Sequence, residues 1–381
     1  MEDNYKIAYV VSDLKRVGPT NQTYNIIENS KYKEKSLVIT LFEEPKDSLR
    51  HKYEKSNIEI ICLNLNRRFY FLKAKKLEKI LKKINPIIVH SYGVKADCLC
   101  NKVSKNNKWD HIITLRNYPK EDILTRMNYI IGKIALHFHL KALLDCKNVI
   151  CCSETIKSKM EKDYPFKKFY CIQNGVDLDR YRKVDLKTKN LLRKENNIEQ
   201  NCALFICTNS FIERKRIDET IEVFKNIPEK SKKLLFLGDG ILFDKIKKIN
   251  IDNSDILFYG KSDKVAELLG MADYFISTSE SEGLPNSVLE AIACGIPVIL
   301  SNIPQHKEIL DELDVGYMYD LGKPNTIKSK YVSINTEQYS RMKNRTLEIR
   351  KSNFTMKNMS EKYIETYEKI GDKNEWKKLI R

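Results

Sequence analysis

The chain has 381 residues, 42% of them hydrophobic and 31% charged, with a formal net charge of +17. That length exceeds one ordinary core and suits two domains, the apolar fraction is compatible with folded domains, and no segment is of low complexity. The charge is uneven: residues 1–182 hold 35 Lys and Arg against 21 Asp and Glu, and residues 183–381 hold 33 against 30, so the halves carry +14 and +3.

Such an excess directs the first half toward an anionic neighbour: a phospholipid surface, a diphosphate-linked molecule or a nucleic acid. In chain order, Met1-Glu2-Asp3-Asn4 is acidic, and the apolar run Ile7–Val11 is too short for a signal peptide. No segment approaches the ~20 apolar residues of a spanning helix. The expectation is a cytoplasmic protein that meets a membrane only peripherally, on its inner face.

Lys6–Val11 reads as a buried parallel strand. A loop, Leu14–Thr20, contains Gly18 and Pro19 and leads to a helix expected from Asn21. Further apolar runs follow at Leu37–Phe42, Ile58–Leu63, Ile87–His90, His111–Leu115, Asn148–Cys152 and Phe169–Ile172. Their alternation with amphipathic segments argues for βα units around a parallel sheet. Residues 67–84 hold eight basic residues and one acid. Phe69, Leu72, Leu77, Ile80, Leu81 and Ile84 approximate one face of a helix there. That face is expected to cover the sheet, with the basic rim and Phe69-Tyr70-Phe71 turned toward an anionic membrane surface.

Asn174-Gly175-Val176-Asp177 marks a turn before a charged linker, and the pattern then restarts. Ala203–Thr208 is a strand and Arg216–Lys225 a helix. Leu234–Leu237 is a strand ending in Gly238-Asp239-Gly240, and Ile256–Tyr259, Tyr274–Ser277 and Pro297–Leu300 are further strands. Two Rossmann-like halves are expected, at 1–182 and 183–353. Residues 354–381 form a separate helical segment, with Phe354, Met359, Tyr363, Ile364 and Tyr367 at helical spacing. The ten cysteines show no zinc spacing and read as reduced, buried thiols.

The densest chemistry lies in Ser279–Val298. Gly283 and Pro285 read as a tight loop, and Asn286 or Ser287 as the cap of a following helix. A helix N-terminus with free backbone N–H groups receives phosphate. Glu290, about two turns from the loop at 3.6 residues per turn, is placed where a carboxylate can take both hydroxyls of a ribose. The run Glu282-Gly283-Leu284-Pro285-Asn286-Ser287-Val288-Leu289-Glu290 closely resembles the Glu-x7-Glu motif of the group 1 glycosyltransferases, which use nucleotide sugars with retention of configuration.

The resemblance covers nearly the whole chain and implies an α/β fold of GT-B architecture, two Rossmann-like domains facing each other across a cleft. It implies that the last helix packs back on the first domain. Glu290 is then the ribose ligand, and Glu282, Gly283, Leu284, Pro285 and Asn286 line the donor sugar and diphosphate. Lys215 matches the family lysine on the donor diphosphate, so Lys215 and Glu282 are the catalytic candidates. Ser210 stands where the family has an arginine, leaving Arg214 or Arg216 to supply that charge. Gly18 and Gly238 match glycines beside the donor. At the end of the His111–Leu115 strand, where relatives carry a histidine, stand Arg116 and Asn117, candidates for the donor sugar or an acceptor phosphate. Asp177-Leu178-Asp179 precedes the linker rather than following a nucleotide-binding strand, so no metal and no cofactor is expected.

The implied activity is hexosyl or N-acetylhexosaminyl transfer from a nucleotide sugar, UDP-linked, to a saccharide or lipid-diphosphate-linked acceptor in surface glycan synthesis, with no nucleic-acid partner. The alternatives are a nucleotide-sugar epimerase of the same fold, which needs no acceptor, and a basic nucleic-acid-binding protein, which has no use for the Glu282–Glu290 arrangement.

Overall fold

The computed structural model describes residues 5–333, 336–371 and 376. The chain divides into two compact units, one of Met1–Gly175 with Met356–Arg381 and one of Val176–Thr355. The first crossing lies at Gly175/Val176 rather than after residue 182, because Val176 pairs with Thr355 and its N–H donates to Phe354 O at 2.8 Å. The second lies at Thr355/Met356, so Phe354 and Thr355 stay with the second unit.

The first unit is a sheet of seven parallel strands: β1 Ile7–Val11, β2 Ser36–Thr40, β3 Glu59–Cys62, β4 Ile88–Ser91, β5 Asp110–Leu115, β6 Asn148–Cys151 and β7 Tyr170–Cys171. Their order is β3-β2-β1-β4-β5-β6-β7. Short β-branched runs without polar alternation form it, as expected where helices cover both faces. Ile7, Tyr9 and Val11 point into one core layer with Ile26, Ile27, Met359, Tyr363 and Tyr367. Ala8 and Val10 point into the other, with Leu37, Leu77, Leu81, Leu99 and Trp109.

Helix Met356–Ile370 belongs to this unit. Tyr367 Oη lies 2.7 Å from His90 Nδ1, and Ser360 Oγ donates to Ile26 O at 2.9 Å. The first helix spans Gly18–Glu28, beginning three residues before the expected Asn21, because Pro19 sits comfortably in a first helical turn. Residues 67–84 resolve into a 3-10 turn, Tyr70–Lys73, and a helix, Ala74–Ile84. Leu77, Leu81 and Ile84 are buried on the sheet, whereas Phe69 and Leu72 lie outside the helix and are exposed, so the expected single face ends at Ala74.

The second unit has six parallel strands: β8 Ala203–Thr208, β9 Lys232–Leu237, β10 Ile256–Gly260, β11 Tyr274–Ser277, β12 Val298–Ser301 and β13 Gly316–Tyr319, ordered β10-β9-β8-β11-β12-β13. β13 was not anticipated. It is an edge strand, half-buried at three of its four residues, so it lacks the continuous apolar signal. The order reverses between β8 and β11, and the loops leaving those two strands open the position where doubly wound sheets bind ligands. All ten cysteines are free thiols, eight buried and two, Cys62 and Cys171, partly exposed. No helix among the described residues is long and apolar enough to cross a membrane.

Candidate active site

After β8 the chain runs through Asn209-Ser210-Phe211-Ile212 into a 3-10 turn, Glu213–Lys215. Arg216 follows at φ 46°, the left-handed region, and redirects the chain into helix Ile217–Asn226. An arginine in that conformation costs about 1–2 kcal/mol, and its surroundings hold it there. Thr278 Oγ1 donates to the carbonyls of Lys215 and Arg216, both at 3.0 Å. The Arg216 side chain pairs with Glu219, which also accepts from Tyr319 Oη at 3.0 Å and Gly322 N at 2.6 Å.

The loop leaving β11 carries Glu282 into this turn. Its carboxylate receives Lys215 Nζ on one oxygen and Arg214 Nη1, at 3.0 Å, on the other. Arg214 also donates to Ser281 O, and Glu280 N donates to Arg214 O at 3.0 Å, lacing the two loops together. Glu282 is buried. Burial alone would favour its neutral form, but Lys215 and then Arg214 outweigh it and hold the carboxyl down at about 2. The result is two cations sharing one anion, a cluster of net charge +1. Arg214 shares the carboxylate with Lys215, whereas Arg216 turns to Glu219 and Glu280. Ser210 is exposed on the preceding loop.

Helix Asn286–Ala293 follows, with Pro285 in the capping position and no side-chain cap. The expected cap is therefore corrected: Asn286 and Ser287 are the first two helical residues. Gly283, Leu284 and Pro285 are buried beneath this N-terminus. Glu290 lies on its second turn. Burial raises its carboxyl to about 7, partly offset by Arg180 and by a hydrogen bond with Tyr181.

Gly238 and Gly240 have a steric reason to be glycine. A Cβ on Gly238, at φ +132°, would lie 1.9 Å from Asn209 O, and one on Gly240 would lie 2.5 Å from Phe211 O. The turn after β9 thus presses directly on the backbone leading to Arg214 and Lys215.

Gly18 and Arg116 belong to the first unit. Gly18 opens helix Gly18–Glu28, whose N-terminus has no side-chain cap. Arg116 leaves the carboxyl end of β5. Its Nη1 donates to Asn174 Oδ1 at 2.7 Å, while Nε and Nη2 are buried with no hydrogen-bond partner. Asn117 is turned aside, donating to Asp122 Oδ1 at 3.2 Å. Asp177 Oδ1 accepts the N–H groups of Asp179 and Arg180, both at 3.0 Å, a local turn.

Several contributors escaped the sequence reading. Gln305 is buried and its Nε2 donates to Glu282 O at 2.8 Å. Arg180 and Tyr181 flank Glu290, and Thr278 anchors the Lys215 turn. Each acts across a long stretch of chain, and none belongs to a local pattern.

Residues 188–347 match the family model for glycosyl transferases group 1, and residues 35–180 match that for glycosyltransferase family 4. The chain is 30% identical over 307 residues to N-acetyl-alpha-D-glucosaminyl L-malate synthase of Bacillus anthracis, an alignment covering 78% of this chain and 77% of that one. It is 29% identical over 336 residues to the O-antigen biosynthesis glycosyltransferase WclY of Escherichia coli, covering 84% and 86%. The crystal structure of Anabaena HepE in complex with UDP aligns with a TM-score of 0.81 at 15% identity, covering 95% of this chain and 99% of that one.

Proposed function

The chain belongs to the group 1 glycosyl transferases, on the two-unit α/β GT-B architecture, and on that premise we propose that it transfers a sugar from a UDP-linked donor, with retention of configuration, to an anionic saccharide or lipid-diphosphate-linked acceptor in surface glycan assembly. The observation that carries this reading is the convergence of Arg214 and Lys215 on Glu282, one loop before the uncapped helix that bears Glu290. UDP in the HepE structure supports the nucleotide, and the O-antigen enzyme supports the pathway class.

In this reading Glu290 takes the ribose hydroxyls. The helix N-terminus and Lys215 receive the diphosphate, whose charge grows as the bond from the sugar C1 to the phosphate oxygen breaks. The acceptor hydroxyl oxygen bonds to C1 on the face the diphosphate leaves, and its proton passes to the departing phosphate oxygen. Glu282 acts as a positioning residue: it holds Lys215 and Arg214 within reach while leaving the cluster one positive charge. That charge stands in for a divalent ion, so no metal is assigned. Full activity in excess EDTA is expected, and a loss restored by magnesium would overturn this part.

Arg116 is assigned to an anionic group of the acceptor. Two buried guanidinium nitrogens without partners are costly unless an anion completes them. Peripheral attachment to an anionic membrane, with residues 67–84 contributing, fits a lipid-linked acceptor.

Thermal stabilisation by a panel of nucleotides and nucleotide sugars, beside a Glu290→Ala variant, tests the donor site. UDP and one UDP-sugar are expected to stabilise the parent, by about 2.7 kcal/mol at a hundredfold excess over Kd, and not the variant. A folded parent that responds to none of them would remove the donor assignment.

A further inference from the structure

Helix Tyr129–Asp145, between β5 and β6, is apolar on the side it turns to water as well as on the side it buries. A surface helix normally turns charge to water and its apolar stripe to the core. Here Met127, Tyr129, Ile130, Ile131, Ile134 and Phe138 are all exposed, Ile130 by 69% and Phe138 by 51%. Within the helix, Ile130, Ile134 and Phe138 recur every four residues along one side, with Ile131 beside them, and Met127 lies just before the helix begins. The opposite side is firmly anchored: Gly132, His139, Ala142 and Leu143 are buried, and His139 Nε2 pairs with Asp97 Oδ2 of the neighbouring helix Val94–Ser104 at 2.9 Å. Asp145 ties the far end to the same neighbour, accepting from Asn101 Nδ2 at 3.2 Å and pairing with Lys105 Nζ at 2.8 Å. Asn128 caps the near end, its side chain accepting from Ile130 N at 3.1 Å. The apolar face therefore belongs to a well-held helix.

Charge identifies what covers it. No Asp or Glu occurs from residue 123 to residue 144, while Lys133, His137 and Lys141 are exposed on the same helix. Lys133 Nζ lies 4.3 Å from the centre of the Tyr129 ring. On the other side of Val94–Ser104 packs helix Ala74–Ile84, whose Lys75, Lys79 and Lys83 are exposed. A second copy of the chain would bring these cations against their own images. An anionic lipid surface accepts both features at once, the apolar side chains among the acyl chains and the lysines among the head groups.

We propose that helix Tyr129–Asp145 lies in the interface of an anionic bilayer, inserting Ile130, Ile134 and Phe138, with the lysines of Ala74–Ile84 as its electrostatic rim. At 17 residues with two lysines, and with one side held by the protein, it lies along the surface rather than across it. This stands independently of the donor site.

Co-sedimentation of the full chain with phosphatidylcholine vesicles, with and without phosphatidylglycerol, tests it. Binding is expected only with phosphatidylglycerol and should weaken as salt rises. The Ile130→Ser/Ile134→Ser/Phe138→Ser variant should bind at least about tenfold more weakly, and Lys133→Gln/Lys141→Gln several-fold more weakly, both keeping the parent circular dichroism and response to UDP. Parent-like binding by the folded triple variant overturns the proposal, as does a parent that ignores phosphatidylglycerol. A concentration-dependent parent dimer abolished in the triple variant, without vesicle binding, assigns the face to a second copy instead.

Discussion

Glu282 is the most exacting side chain in the second unit, because it is the only carboxylate that both Arg214 and Lys215 touch among the described contacts. Glu282→Gln leaves two partly buried cations facing an amide, which should destabilise the protein by about 3 kcal/mol at neutral pH. Its carboxyl is depressed from the usual 4.5 to about 2. The stabilisation is therefore complete above pH 4.5 and is lost as pH falls toward 2, where denaturation curves of parent and variant should converge. Glu290 has the opposite sign. Its carboxyl is raised to about 7, so the ionised form needed by a ribose increases through neutrality. UDP affinity, measured by calorimetry, should rise between about pH 6 and 8 in the parent more steeply than in Glu290→Gln. The phosphate's own titration is common to both proteins. Arg116→Gln separates function from stability. A guanidinium with unpartnered buried nitrogens contributes little to folding, so Tm should hold or rise while the acceptor KM increases by about tenfold or more. A fall in Tm with unchanged KM would make Arg116 structural.

The elements that carry these residues differ in how well they announce themselves. The central strands are legible because β-branched runs buried on both faces have no other stable home. Ala203–Thr208 and Tyr274–Ser277 occupy the residues expected of them. β13 is not legible, since an edge strand half-open to water has a mixed composition. The loop from Glu282 to Glu290 is legible as a motif, but its pairing with Arg214 and Lys215 is not, because 67 to 68 residues separate the partners. Helix Tyr129–Asp145 shows no amphipathic period, because apolar residues cover both its anchored and its exposed sides. The turn Gly238-Asp239-Gly240 resembles a nucleotide-binding pattern, yet its glycines answer a packing demand from Asn209 and Phe211. Gly240→Ala should therefore destabilise by roughly 1–3 kcal/mol and weaken UDP binding by displacing the Lys215 turn. Loss of UDP binding with an unchanged Tm would give Gly240 a direct ligand role instead.

Across the whole molecule, the structural division sharpens the charge asymmetry. The first unit holds 40 Lys and Arg against 24 Asp and Glu, the second 28 against 27, so their net charges are +16 and +1. The basic character belongs almost wholly to the unit that bears Arg116 and the apolar helix face. The donor candidates belong almost wholly to the near-neutral one. Each unit also has its own sheet and core, so a ligand held by one should stabilise that one first. The two tryptophans, Trp109 and Trp376, are both buried in the first unit, which makes tryptophan fluorescence a reporter of that unit alone. Heating with and without UDP should then give two different answers. Circular dichroism should show a component that moves up with UDP and stays put in Glu290→Ala, while the tryptophan transition remains where it was. If both probes shift together, the units unfold as one cooperative body and the donor's stabilisation is shared. If only the tryptophan transition moves, the nucleotide binds the first unit, and the assignment of Glu290 and Lys215 fails.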